Sequence, residues 1–369
     1  MKVLQVYKDY YPVVGGIENT VRMLATEASR RPGFEVVVLT TNTGPRTERL
    51  TIDGVEVIKA GRQLTAASTP ISWPLLMEMR RMKPDITHLH FPYPWGELAY
   101  LLVGRGRMIL TYHSDIVKQR GLLRFYEPFL WRVLERAETV VATSPDYVQS
   151  SPYLRRVAGK CVVVPCGIDV GRFGAADLAK VEGLRRQLGS RTVLFVGVFR
   201  YYKGLRYLIE AMREVDARLL LVGSGPVEAE LRAQVARSGL DGKVLFAGVV
   251  PDPDLPVYYQ AADLYVLPAS ERSEALGLSL MEAMASGLAL VTTDLGTGTS
   301  YVNVDGTTGL VVPPANPVAL AKAINRLLAD DDLRHRMGRA GRQRVREVFS
   351  KEVVVDQMVE LYDRVMGGG

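Results

Sequence analysis

Two carboxylates, Glu274 and Glu282, stand eight residues apart in the stretch Ser270–Gly287, which reads S-E-R-S-E-A-L-G-L-S-L-M-E-A-M-A-S-G. The stretch follows an apolar strand-like run, Asp263–Leu267, and opens a helix rich in Leu, Met and Ala. Glu274 precedes that helix and belongs to a strand-to-helix loop. Glu282 lies about one turn inside it, since a turn takes ~3.6 residues, and Gly277 stands between the two acids. The first backbone N–H groups of the helix, at Leu278 and Ser279, have no partner within it and carry the positive end of its dipole, which makes an anion site. The chemistry on offer is a phosphate pocket flanked by two acids that grip sugar hydroxyls. A capped helix with two solvated glutamates is the competing reading, and so short a motif does not decide between them.

Complementary charge appears in F-V-G-V-F-R-Y-Y-K-G, where the strand-like run Thr192–Val196 leads to Arg200 and Lys203. Two cations at one strand end neutralise a diphosphate leaving group without a metal. In T-Y-H-S-D, His113 sits at the carboxyl end of the run Met108–Tyr112, the end where site residues of α/β sheets collect. Asp115, two residues on, is a weaker candidate for orienting an acceptor. Near the N-terminus, Y-P-V-V-G-G-I-E-N places Gly15 and Gly16 in a strand-to-helix turn, where the missing Cβ lets the backbone approach a ligand. The dinucleotide fingerprint G-x-G-x-x-G is missing there.

Together these residues resemble the retaining glycosyltransferases of family 4, whose E-x7-E signature matches Glu274 and Glu282. The resemblance covers nearly the whole chain and is strongest over residues 192–315. It implies that Glu274 contacts the donor sugar, Glu282 the nucleotide ribose, and the helix start at Gly277, Leu278 and Ser279 the donor diphosphate. It places Gly15 and Gly16 against the donor phosphates and His113 near the donor sugar. It also assigns the base to backbone groups of the loop at Val249 and Val250. Lys203 matches the family lysine directly. The family arginine usually follows the first glycine directly, where this chain has Val198. Arg200 lies two residues later on the same face of an extended stretch and is given that role. The family's Gly-Gly-x-Pro-Glu loop is replaced here by Gly296, Gly298 and Ser300, so the sugar contacts of that loop depart from the pattern. Tyr258 and Tyr259 read as packing residues, and L-L-L-V-G-S-G-P around Gly223–Pro226 as an undistinguished strand-loop-helix.

What positions these groups is an alternation of apolar runs and helical patterns, the mark of parallel sheets in an α/β protein. The runs are Val3–Tyr7, Val36–Thr40, Val55–Lys59, Ile86–His90, Met108–Tyr112, Val140–Thr143 and Val162–Val164. They continue with Thr192–Val196, Arg218–Val222, Lys243–Ala247, Asp263–Leu267, Ala289–Thr292 and Leu310–Val312. Two such series predict two doubly wound, Rossmann-like domains facing a cleft, the GT-B architecture of the family. The expected boundaries are 1–168 for the acceptor-side domain and 190–350 for the donor-binding domain. The terminal helix within 351–369 is expected to pack back on the first.

The resemblance further implies a hexosyltransferase using a nucleotide-sugar co-substrate, with no metal or other cofactor, and front-face transfer without a covalent nucleophile. GDP-mannose is the expected donor, because T-D-L-G-T-G-T-S-Y-V-N resembles mannosyltransferases of bacterial surface polysaccharides, and a UDP-sugar is the alternative. The acceptor would be a lipid-linked glycan or lipopolysaccharide intermediate. A sugar-nucleotide epimerase of the same fold and a non-catalytic nucleotide-sugar-binding protein are the rival readings. The complete set Arg200, Lys203, Glu274 and Glu282 speaks against the second.

Composition is that of a globular protein of 369 residues, 47% hydrophobic and 23% charged, enough for two domains. No apolar run approaches the roughly 20 residues that cross a bilayer, and the chain enters a strand without a secretory apolar region, so a cytoplasmic location is expected. Residues 1–165 carry 22 Lys and Arg against 15 Asp and Glu, a surplus of +7, while the remainder carries −1 of the total +6. The basic half suggests an anionic partner, either a membrane surface or a phosphorylated acceptor. The aromatic-rich stretch 118–136 reads either as a helix in peripheral contact with an anionic membrane or as one packing its apolar face on its own domain, and no nucleic-acid-binding signature accompanies it. The two cysteines, Cys161 and Cys166, read as buried or incidental.

Overall fold

The structure is a computed structural model. It describes residues 1–13, 15–116, 120–189 and 191–367, with the backbone alone over 120–123. Within the stretch 118–136 named above, Lys118 lies outside the described residues, as do the side chains of Arg120, Leu122 and Leu123.

The first half contributes strands β1 (Lys2–Val6), β2 (Glu35–Thr41), β3 (Glu48–Ile52), β4 (Val55–Ala60), β5 (Leu64–Ala66), β6 (Thr69–Ile71), β7 (Ile86–Phe91), β8 (Arg107–Tyr112), β9 (Thr139–Ala142) and β10 (Cys161–Val163). The second contributes β11 (Thr192–Val196), β12 (Arg218–Val222), β13 (Val244–Gly248), β14 (Leu264–Leu267), β15 (Ala289–Thr293) and β16 (Gly309–Val312). They form two main sheets, one ordered β10-β9-β8-β7-β1-β2-β4-β3 and the other β13-β12-β11-β14-β15-β16. Every pairing in these sheets is parallel except β3 with β4. Both are doubly wound α/β sheets. β7, β11 and β14 are buried along their whole length, as parallel strands covered by helices on both faces must be. That is why they read as unbroken apolar runs.

Three strands escape the apolar pattern. β3 is exposed along E-R-L-T-I and is turned onto β4 by the Asp53-Gly54 corner, both residues at positive φ. β5 and β6 form a separate three-residue hairpin. Edge and hairpin strands need bury nothing on one face, so hydropathy does not announce them.

The chain divides into two compact units, Met1–Gly167 with Lys351–Gly369, and Ile168–Ser350. The helix Lys351–Gly367 belongs to the first and buries Val354, Val355, Met358, Leu361, Tyr362 and Val365, the spacing of one helix face. It packs on the helix Gly16–Ser29, Asp356 pairs with Arg31, and the Val365 carbonyl accepts from Arg107. Helix starts are capped as their residue types dictate: Ser72 accepts from Leu75 N at 3.1 Å, Asn316 from Ala319 N at 3.0 Å and Asp330 from Leu333 N at 2.8 Å. Cys161 and Cys166 are free thiols whose pKa values burial pushes up to about 11.

Candidate active site

In the second unit the site grows from the carboxyl ends of β11 and β14. β11 is followed by Gly197, whose φ of +147° only glycine adopts easily. The next residues alternate, Val198 exposed, Phe199 buried, Arg200 exposed, but Arg200 N donates to Val198 O at 2.9 Å. Phe199 therefore centres a γ-turn in place of the expected extended stretch, and Arg200 reaches solvent through that turn. A single 3-10 turn, Tyr201–Lys203, then closes on Gly204 in the left-handed region at φ +70°. A Cβ on Gly204 would lie 2.0 Å from the Pro268 carbonyl oxygen, and Ser270 N donates to Tyr202 O at 2.8 Å. The loop after β11 is thereby locked against the loop after β14. That lock brings Lys203 Nζ to 2.5 Å from Glu274 Oε2.

The pair is enclosed, with side chains 14% and 8% exposed. The contact lacks the alignment of a hydrogen bond, and Glu274 Oε2 has no hydrogen-bond partner among the described residues. Its loop is held from behind: Thr297 Oγ1 donates to Glu274 O at 2.8 Å and Gly298 N to Ala275 O at 2.7 Å. A Cβ on Gly298 would reach within 2.5 Å of the Leu276 side chain. The T-G-T-S wording that departs from the family pattern thus braces the backbone of Glu274, a role its sequence did not announce.

Gly277, left-handed at φ 83°, starts the helix Leu278–Ala285 with no side-chain cap, leaving the N–H groups of Leu278 and Ser279 unoccupied by a capping side chain. Glu282 is held by Tyr259, whose hydroxyl donates to Oε2 at 2.6 Å. Tyr259 is therefore more than the packing residue its sequence context implies. Burial is the main cause that raises the Glu282 carboxyl above its ordinary value, opposed by the Tyr259 bond and by Arg172. The Tyr265 hydroxyl donates to Val196 O at 3.3 Å and feels Ser279, Glu282 and Glu274 at once, so these three groups share one neighbourhood. Val249 is 75% exposed on the loop after β13 and Val250 half-buried. Gly223 N donates to Gly248 O at 2.7 Å and a Cβ on Gly223 would lie 2.1 Å from Gly197 O. The G-S-G-P loop thus interlocks its two neighbours.

In the first unit, Gly15 precedes and Gly16 begins the helix Gly16–Ser29. Glu18 folds back over Gly15, its Oε2 2.3 Å from where a Cβ would stand, and burial raises its pKa. His113 follows β8, donates its N–H to Phe91 O at 3.1 Å, and is buried. Asp115 is turned inward, with Oδ1 accepting from Tyr112 Oη at 3.0 Å and from Ser151 Oγ at 2.7 Å, which argues against a role in orienting an acceptor. The same end of the sheet carries an Arg62–Asp9 ion pair at 2.7 Å and the buried Glu97, neither singled out in the sequence.

Glu97 Oε1 accepts from Tyr93 N at 2.7 Å while Oε2 is unpartnered among the described residues, and burial pushes the carboxyl up to about 8 from an ordinary 4.5. Above the ordinary value the unfolded chain has released this proton and the folded chain still holds it. The folded state then binds more protons, so stability falls as pH rises from about 4.5 towards 8 and stays low beyond. Glu97→Gln keeps the acceptor and removes the titration. Against roughly 5 kcal/mol for a shift of this size, the new amide N–H without a partner costs about 1–3 kcal/mol. The variant is expected to be more stable than the parent in mildly alkaline buffer by roughly 2–4 kcal/mol and to lose the acid-to-alkaline decline. Urea midpoints at an acid and an alkaline pH check both.

The helix Arg120–Arg136 buries Leu130, Val133 and Leu134 but leaves Phe125 79% exposed and Phe129 partly so. With Trp95, Leu98, Ile71 and Ala66, those two phenylalanines line an apolar cavity of about 390 Å³. Arg124 and Arg132 are exposed on the same helix. Among the described residues no helix is long and apolar enough to cross a membrane.

Comparison with known proteins decides the family. The model of the Glycosyltransferase Family 4 domain matches residues 14–172, and that of Glycosyl transferases group 1 matches residues 179–344. The chain is 38% identical over 354 residues to the D-rhamnosyltransferase WbpZ of Pseudomonas aeruginosa, covering 95% of this chain and 92% of that one. It belongs to the family 4 glycosyltransferases. The enzyme is also 36% identical over 370 residues to the O-antigen chain mannosyltransferase C of Escherichia coli, covering 99% of each chain. Sucrose-phosphate synthase (tll1590) from Thermosynechococcus elongatus superposes with a TM-score of 0.83 at 25% identity over the whole of both chains. The glycosyltransferase thus has the GT-B fold and is a hexosyltransferase.

Proposed function

We propose that the enzyme is a retaining transferase that passes a mannosyl group from GDP-mannose to a hydroxyl of a lipid-linked glycan or lipopolysaccharide-type intermediate. The observation that carries this reading is the enclosed Lys203–Glu274 pair beside the uncapped start of the helix Leu278–Ala285. As the bond to the leaving group breaks, negative charge grows on the diphosphate and positive charge on the sugar ring. Lys203, the exposed Arg200 and the N–H groups of Leu278 and Ser279 meet the first, fixed in place before the reaction begins. Glu274, paired through Oε2 with Lys203, offers Oε1 to a donor-sugar hydroxyl. Glu282, anchored through Oε2 by Tyr259, offers Oε1 to the ribose. Gly15 and Gly16 allow a close approach of the phosphates, the backbone near Val249 holds the base, and His113 positions the sugar. The chain's own cations balance the leaving group, so no metal or other cofactor takes part.

The T-D-L-G-T-G-T-S-Y-V-N wording and the mannosyltransferase relative both support mannose as the sugar. A thermal-shift screen of nucleotide diphosphates and their sugars checks it. GDP-mannose is expected to give the largest stabilisation, about 2.7 kcal/mol at a hundredfold excess over its dissociation constant. A larger shift with a UDP-sugar reassigns the donor. Isomerisation of the donor without transfer to an added lipid-linked sugar would instead identify an epimerase.

A lipid-linked acceptor is supported by the apolar cavity with Phe125 at its rim and Arg124 and Arg132 alongside. An aromatic and basic surface of this kind suits the inner face of the plasma membrane, to which a cytoplasmic enzyme would bind peripherally. The wild type is expected to float with vesicles containing anionic lipid at low salt and Phe125→Asp to remain behind. No flotation of the wild type ends this part of the reading.

A further inference from the structure

Three of the four histidines of the chain lie in one buried stack. His88 and His90 alternate on one face of β7, and His113 follows the neighbouring β8, whose Thr111 is the register partner of His90. The ring centroids of His88 and His90 are 4.3 Å apart and those of His90 and His113 5.3 Å, with interplanar angles of 27° and 19°. Burial holds all three neutral, pushing His88 and His113 down to about 3 and His90 well below its ordinary value. Each ring therefore has one N–H and one lone pair, and the order in which they alternate is set from one end.

That end is Gln5, buried on β1, the strand adjoining β7. Its Oε1 faces His90 Nε2 at 3.0 Å, and its Nε2 is buried without a hydrogen-bond partner among the described residues. An amide oxygen only accepts, so His90 carries its hydrogen on Nε2 and its lone pair on Nδ1. His90 Nδ1 lies 3.0 Å from His113 Nε2, which must then donate. His113 is left with its lone pair on Nδ1, an atom with no hydrogen bond among the described residues. His88 stands outside this chain of bonds, its nitrogens engaged by Thr111 Oγ1 at 2.6 Å and Tyr362 Oη at 2.7 Å.

We propose that Gln5 and His90 are positioning residues that fix the tautomer of His113, so that the substrate meets a hydrogen-bond acceptor at Nδ1 rather than an N–H. Such an edge selects a sugar hydroxyl that donates, and stabilises partial positive charge on the ring that hydroxyl belongs to. The proposal rests on the assignment of His113 to the donor sugar given above. A reversed Gln5 amide would invert every bond in the chain and present Nδ1–H instead, so the two states exclude each other.

The full-length enzyme labelled with ¹⁵N at histidine gives the tautomer directly from its two-bond ¹H–¹⁵N spectrum, with His113 identified by the signals lost in His113→Gln. The expected result at neutral pH is His113 protonated at Nε2 and bare at Nδ1. Gln5→Met and His90→Phe are expected to mix the two tautomers and to lower kcat roughly 10- to 100-fold, with the donor KM moving less than about threefold. Nδ1–H on His113 in the wild type overturns the proposal, as do variants that keep both the wild-type tautomer and kcat. Should either variant fail to fold, the wild-type spectrum decides alone. Full transfer activity in His113→Gln would remove His113 from the donor site while leaving the tautomer result in place.

Discussion

Lys203→Ala is expected to slow sugar transfer roughly 10²- to 10³-fold and to lower stability by about 3 kcal/mol or more. The two losses have different origins. The first is the absence of a fixed cation where the departing diphosphate gathers charge. The second arises because Glu274, 8% exposed in its side chain, keeps its desolvation cost and loses its counter-ion. A double replacement separates them. Lys203→Met with Glu274→Gln removes both charges at nearly constant volume, and swaps of that kind are often neutral or stabilising. Urea unfolding of the double variant should return close to the parent while its single-turnover transfer rate stays low. If the rate returns with the stability, the pair only holds the loops together and its catalytic assignment fails.

Gly204→Ala is expected to damage the same site without touching a charged group. The residue sits at φ +70°, and an added Cβ would lie 2.0 Å from Pro268 O, in a junction already tied by the Ser270 N–Tyr202 O bond. The left-handed conformation costs roughly 1–2 kcal/mol for a residue with a Cβ, and overpacking a further 1–3 or so. A shift that moves Lys203 by about 1 Å from Glu274 would also cost on the order of 10² in rate. Gly239 is the control. It has φ +66° but nothing within 4 Å of an added Cβ, so Gly239→Ala should show only the conformational cost and a normal rate. Denaturation midpoints and transfer rates of the two variants, measured together, separate the effects. Equal behaviour of the pair would show that the junction has no special role in seating Lys203.

Much of the fold could be read from the residues because parallel strands covered on both faces leave an unmistakable trace. I-T-H-L-H-F and T-V-L-F-V are buried along their whole length and were visible as runs. E-R-L-T-I at β3 was not, since an edge strand facing water has no reason to be apolar. The same distinction runs through the site. Arg200, Lys203 and Glu274 are legible because they sit at strand ends, where the local pattern fixes their place. The Tyr259–Glu282 bond, the bracing of Glu274 by Thr297 and the Gln5–His90–His113 chain join residues that are far apart in sequence. Within I-T-H-L-H-F nothing distinguishes His90 from a strand residue with a polar tip. Only the register of β7 against β1 and β8 brings it to its partners.

The helix Lys351–Gly367 completes the unit that begins at Met1, whereas the other unit is one uninterrupted segment from Ile168 to Ser350. The order in which the units begin is therefore not the order in which their sequences are completed. The later-encoded unit has every strand it needs within its own segment. The earlier one must wait, with Tyr362 missing from its place beside His88 and the surface of the helix Gly16–Ser29 uncovered, until nearly all of the remaining chain has been made. A released chain truncated just before Lys351 should accordingly resist protease over residues 168–350 while the part that was synthesised first is still cut.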